Sequence, residues 1–242
     1  MKKTVFLFVV FLALVVSGVS VSAQEITSGK YHKALIIGAH PDDPESMCAG
    51  TMLELKKLGC EVVCVYLTQG EGGITGKSEA EAAAIRHQES LDACAIMGIR
   101  PVFLTQVDGR TEINAERYAE MKALIEAEKP DLVITHWPID QHRDHRNCSI
   151  LVFDAWRQTG HSFDLFYCEV MTGMQTLNFT PTSYVDITSS RAQKLEAYLA
   201  HKSQNNDGNI ARFHDSMEKM RGLEFQCTYA EAFIKQIWNG TD

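Results

Sequence analysis

Between Lys33 and Thr135, short apolar runs alternate with longer stretches rich in helix formers, and this alternation constrains the fold more than any other feature. Lys33 to Ala39, Glu61 to Thr68, Val102 to Leu104 and Asp131 to Thr135 read as buried strands. Pro44 to Leu58, Ser78 to Met97 and Ala115 to Glu128 read as helices; the first carries Met52, Leu55 and Leu58 at helical spacing and stops at Gly59, the second stops at Gly98. Strands and helices in this order join by right-handed crossovers, so the expected class is α/β, a Rossmann-like, mostly parallel sheet with helices on both faces. Beyond Asn147 the pattern is less regular. A helix to about Trp156, strands at Phe166 to Met171 and Tyr184 to Ile187, and helices near Ser190 to His201, Ala211 to Met220 and Tyr229 to Trp238 are predicted.

In such sheets ligands sit beyond the carboxyl ends of the strands. Two polar clusters fall there. The first, His40-Pro41-Asp42-Asp43-Pro44-Glu45, puts an imidazole and two adjacent carboxylates at a strand-to-helix turn that Pro41 stiffens. Taken alone it also reads as a helix start charged for its dipole. The second, His142-Arg143-Asp144-His145, follows the fourth strand; if it is helical, its two imidazoles are neighbours. Together the clusters supply two histidines and a carboxylate, with a further carboxylate free to act as a base, which is the donor pattern of a catalytic zinc. Residue chemistry alone does not say which of Asp42 and Asp43 binds the metal.

These motifs, the second extended back to Asp140-Gln141, with Thr68-Gln69-Gly70-Glu71, Arg86, Glu89 and His201-Lys202-Ser203-Gln204, resemble the PIG-L/LmbE-like family of zinc-dependent N-acetylglucosamine deacetylases over nearly the whole chain beyond residue 23. The resemblance implies that His40, Asp43 and His145 hold zinc, or another divalent first-row metal, and that Asp42 is the general base. It makes His142 a charged group that steadies the oxyanion, and Asp144 a partner that fixes a nearby imidazole. Arg86 would reach a sugar hydroxyl or phosphate of the substrate; the competing reading pairs it with Glu89 on a solvated helix face. Arg143 stands where many relatives carry proline and Ala49 where glycine is common. Against a non-catalytic carbohydrate-binding role on the same fold stands the presence of the base and all three ligands. A phosphoesterase would need more carboxylates for a second metal.

At the other end, Met1-Lys2-Lys3, the apolar run Val5 to Val16 and Val21-Ser22-Ala23 form the three-part plan of a secretory signal peptide. A run of about a dozen residues falls short of the roughly 20 that a membrane-spanning helix needs, so residues 1–23 are expected to be cleaved and 24–242 to form one exported deacetylase domain without a stable membrane span. The net charge of -8 argues against nucleic acid as a partner. The partner is instead expected to be a soluble N-acetylated amino sugar or short oligosaccharide. The seven cysteines form no metal-binding spacing and read as buried small hydrophobes. His87 and His214 are read as solvated, and His201 as a packing residue.

Overall fold

The computed structural model describes residues 25–205 and 208–240. The expected leader, residues 1–23, lies outside them. Seven strands form one sheet: β1 (Lys33–Gly38), β2 (Glu61–Thr68), β3 (Arg100–Gln106), β4 (Leu132–His136), β5 (Asp164–Cys168), β6 (Ser183–Asp186) and β7 (Ala230–Lys235). Their spatial order is β3-β2-β1-β4-β5-β7-β6. The first five in that order run parallel, and β7 pairs antiparallel with both β5 and β6. The helices are α1 (Asp43–Lys57), α2 (Glu79–Met97), α3 (Ala115–Glu128), α4 (Arg143–Gln158), α5 (Arg191–Leu199) and α6 (Asn209–Phe225). No helix among the described residues is long and apolar enough to cross a membrane.

Strand alternation sorts the apolar side chains into two layers. Ala34 and Ile36 of β1 face α1 and α2 through Met52, Leu55, Cys94 and Met97. Leu35 and Ile37 face α3 and α4 through Met121, Ile125, Leu151 and Trp156. Both faces are therefore covered, which is why these strands read as continuous apolar runs. The α2 boundary is set by a capping box: Ser78 Oγ accepts the Glu81 N–H while Glu81 accepts the Ser78 N–H. All cysteines are free, and six of the seven are buried.

One expected element is corrected. Tyr229 to Trp238 reads as a helix because Ala, Glu, Lys and Gln favour that state, yet Ala230–Lys235 is a strand. Helix propensities differ by at most about 0.7 kcal/mol per ordinary residue, whereas burying a phenylalanine contributes roughly 1.5–3 kcal/mol. Phe233 is fully buried between β5 and β6, so tertiary packing decides.

The buried Glu231 explains why that strand is needed where it is. Helix α1 breaks at Cys48 (φ -155°, ψ 31°), which leaves amides of its second half without helical partners. Glu231 accepts the Gly50 and Thr51 N–H groups at 3.0 and 2.7 Å. Lys194 of α5 balances that charge, lying 2.6 Å from Glu231, 2.9 Å from Glu218 of α6 and 2.9 Å from the Ser46 carbonyl. One ammonium thus joins α1, α5, α6 and β7. Burial works against its charge, but Glu218 and Glu231 raise its pKa above the ordinary lysine value. Removing one partner of such a network strands the others as buried charges. Lys194→Met is expected to lower unfolding free energy by about 3–5 kcal/mol in urea titrations; a loss below about 1 kcal/mol would show that the network does not anchor α1.

Candidate metal centre

Strands β1 and β4 are parallel neighbours, so the turns that follow them open at the same point of the sheet edge. After β1 the chain folds back sharply. A Cβ on Gly38 would lie 2.7 Å from Pro44 Cδ and 2.8 Å from Asp43 Cβ, so only glycine permits this turn. The turn closes on itself: the His40 N–H donates to Asp43 Oδ2 at 2.7 Å and the Asp43 N–H to the His40 carbonyl at 3.1 Å. After β4, Asp140 accepts the His142 N–H at 2.8 Å, His142 caps α4, and His145 falls in its first turn.

The two turns meet at Asp43. Its Oδ2 lies 3.1 Å from His40 Nδ1 and its Oδ1 3.4 Å from His145 Nε2. His40, His142 and His145 offer ring nitrogens that all lie within 4.8 Å of one another. His40, Asp43 and His145 are buried. Each proposed histidine ligand is backed on its other nitrogen by carboxylate: His40 Nε2 faces Asp108 and Asp144, both at 3.2 Å, and His145 Nδ1 faces Asp140 at 3.2 Å. Asp144 is itself fixed by the Gly109 N–H at 2.6 Å and the Thr111 hydroxyl at 2.7 Å. Asp140 accepts the Thr176 hydroxyl at 3.0 Å.

This arrangement concentrates negative charge around two imidazoles. Burial alone would depress His40, but Asp108, Asp144 and Asp43 hold its pKa well above the ordinary histidine value. His145 is likewise carried against burial to about 9 by Asp43 and Asp140. Burial opposes ionisation of Asp43 too, yet the charges of His145 and His136 keep it well below the usual carboxylate range. Two imidazoles and a carboxylate, each imidazole oriented by an outer carboxylate, are the donors that a divalent zinc-like ion takes. The residues fit such an ion.

Asp42 stands beside this set and lines the adjoining cavity. Its backbone is left-handed at φ 108°, a conformation that costs a non-glycine residue of order 1–3 kcal/mol. Burial raises its carboxyl pKa, and the neighbouring Asp43 adds to the rise against the pull of Arg86. His142 accepts the Asp144 N–H on Nδ1 at 3.3 Å, which leaves Nε2 to carry the proton of a neutral ring. Burial, then the charges of His40 and His145, lower its pKa.

Arg86 is not on a solvated face. It is buried, lies 3.1 Å from Asp42 and 3.8 Å from Asp108, and donates to the Pro41 carbonyl. Glycines make room for it, since a Cβ on Gly70 or Gly73 would lie 2.6 or 2.2 Å from its side chain. Glu89 does not pair with it but accepts the Ser203 N–H and hydroxyl at 2.7 and 2.6 Å. Arg86 therefore holds the Asp42 turn in place while also lining the cavity.

Several participants were not singled out from the sequence. Asp108 follows β3 at the same sheet edge, and that position was its available signal. Asp140 lies inside the second motif. His136, the last residue of β4, stacks on His145 with ring centroids 4.1 Å apart and accepts the Ala39 N–H at 3.0 Å; burial, then the His145 charge, take its pKa to about 4. His201 is fully buried, 3.4 Å from Glu45, in keeping with a packing role. The cavity has a volume of about 290 Å³. The donor set, Asp42, His142 and Arg86 all line it or border it.

Residues 35–156 match the family model described as PIG-L, GlcNAc-PI de-N-acetylase. The chain is 30% identical over 187 residues to the diacetylchitobiose deacetylase of Thermococcus kodakarensis, covering 71% of this chain and 70% of that one. It is 28% identical over 181 residues to a probable N-acetyl-alpha-D-glucosaminyl L-malate deacetylase of Bacillus anthracis, covering 70% and 80%. The solved structure of N,N'-diacetylchitobiose deacetylase from Pyrococcus horikoshii superposes with a TM-score of 0.78 at 23% identity, covering 89% of this chain and 87% of that one, a likeness of fold. The family model and the Thermococcus relative show that the chain belongs to the PIG-L family.

Proposed function

We propose that this chain is an exported, zinc-dependent deacetylase that hydrolyses the acetamide of an N-acetylglucosamine-containing sugar, releasing acetate and a free amine. The observation that carries the reading is the convergence of His40, Asp43 and His145 beside Asp42 in one cavity. Family membership and the deacetylase relatives support the reaction class. The basic start, apolar run and small-residue end of residues 1–23 support export.

His40, Asp43 and His145 would hold the ion. A bound zinc polarises a carbonyl and lowers the pKa of water from 15.7 to about 7. Around it, Asp42 accepts a proton from the attacking water as the new C–O bond forms, a task for which its raised pKa suits it. The neutral His142 donates its Nε2 proton as a hydrogen bond to the developing oxyanion. Asp42 then returns its proton to the amide nitrogen, the C–N bond breaks, and a neutral amine leaves. Arg86 and Asp108 form a charged wall suited to sugar hydroxyls.

The purified protein is expected to contain about one zinc-like ion per chain and to release acetate from N-acetylglucosamine or chitobiose fragments. Unchanged metal content in a His40→Ala, His145→Ala double variant would remove the site; turnover of an N-acetylglucosaminyl-inositol lipid alone would overturn the soluble substrate. Two substitutions separate strain from chemistry at Asp42. Asp42→Asn is expected to retain metal and lose about 10²-fold or more in kcat. Asp42→Gly should be equally impaired yet unfold at a higher temperature, because glycine relieves the left-handed backbone; a lower Tm would show that the Arg86 contact outweighs the strain. N-terminal sequencing of protein recovered outside the cytoplasm is expected to begin at Gln24, and retention of an intact chain inside the cell would refute export.

A further inference from the structure

The cavity has two chemically different sides. Arg86, Asp108, Gly72 and Gly73 come from α2 and from the turns after β2 and β3, on one side of β1 in the sheet order. Val170, Met171 and His214 come from beyond β5 and from α6, on the other side. The proposed ligands, on the turns after β1 and β4, lie between. With an amide carbonyl at the ligands, an oxygen-rich sugar suits the charged side, which leaves the acyl group facing the other.

Next to His214, Ser46 and Tyr198 also line both the main cavity and a small recess that adjoins it. The recess measures about 10 Å³, room for about one water-sized group. Lys194, Arg191 and Glu218, a buried ion-pair network, also line it. His214 is 4% exposed, packs edge-on against Tyr198 with centroids 5.2 Å apart, and has no hydrogen-bond partner for Nδ1 among the described residues. The solvated position expected from the sequence is thus corrected: α6 turns this ring inward. Burial, then the nearby Lys194 and Arg191 charges, lower its pKa to about 3, so the ring is neutral and presents no charge to an apolar group.

We infer that His214, with Tyr198 and Ser46, closes the acyl side of the cavity and acts as a length gauge that admits acetyl and excludes longer acyl chains. The inference rests on the N-deacetylase reading above. The recess holds at most a water-sized group, so an acetyl methyl stops at its mouth, whereas a propionyl or butyryl chain must displace the His214 ring or press on the Lys194–Glu218 pair. One methylene at a tight wall can shift discrimination by about 10–200-fold.

The test has two parts, both with the zinc-loaded full chain. Amine release from N-acetyl-, N-propionyl- and N-butyrylglucosamine gives kcat/KM for the unmodified protein and for His214→Ala, with Tm and zinc content checked for the variant. The unmodified protein should prefer acetyl to butyryl by about 10²-fold or more, and His214→Ala should narrow that ratio at least about tenfold. Calorimetric titration of acetate, propionate and butyrate into the unmodified protein requires neither turnover nor a folded variant, and butyrate should bind at least about tenfold more weakly than acetate. Butyrate binding as tightly as acetate, or an unchanged ratio in a folded His214→Ala protein, overturns the gauge. Absence of amine release from all three sugars with the acetate preference intact would overturn the deacetylase reading and leave the gauge standing.

Discussion

Everything at this edge of the sheet depends on one carboxylate set among three imidazoles, His40, His136 and His145. Asp43 turns one oxygen to His40 and the other to His145, and those rings belong to turns separated by about a hundred residues of chain. The contact exists because β1 and β4 are parallel neighbours whose ends are level, and because Gly38 lets the first turn lie back on its own strand. Without a cation the surrounding carboxylates would repel one another. Asp108, Asp140 and Asp144 each face an imidazole, so protonated rings or a bound metal can discharge the same field.

Holding that turn is a structural problem in its own right, because Asp42 adopts a backbone conformation that an L residue avoids. Contacts from several directions fix it. Arg86 binds Asp42 and the Pro41 carbonyl from α2, and Ser46 Oγ hydrogen-bonds the Asp43 carbonyl at 3.0 Å. Lys194 draws in the Ser46 carbonyl, while Glu231 satisfies amides just past the α1 break. Local strain at Asp42 is thereby offset by a buried polar network one helical turn away.

The parallel half of the molecule was legible in the sequence because each strand there is buried on both faces and each helix is long. Glu61 to Thr68 and Ala115 to Glu128 have the predicted bounds. The antiparallel end was harder to read. Ala230–Lys235 has helix-forming residues and becomes a strand only because β5 and β6 offer it partners, information that no local window holds. At the site, the two motifs brought His40, Asp42, Asp43, His142, Asp144 and His145 together. Asp108 escaped notice because it stands alone in its segment, and its significance lies in a 3.2 Å approach to a residue 68 positions earlier. The inward turn of His214 was equally hidden, since nothing near it in the chain distinguishes a buried ring from a surface one.

The difference between the two halves also bears on how such a site can vary. The proposed ligands and their outer carboxylates stand on the turns and helix starts that follow β1, β3 and β4, in the parallel part of the sheet. The far walls come from residues 170–175 and α6, which join the rest through the antiparallel strands and a few side-chain contacts. A change there alters the shape met by substrate without moving a metal donor. Two ties join wall to ligand: Asp140 pairs with Thr176 in an isolated bridge and also backs His145, and Lys194 links Glu218 of α6 to Ser46 beside Asp43. Substitutions along residues 170–175 should therefore act on substrate choice, whereas those at Asp140 and Thr176 reach the proposed ligands as well.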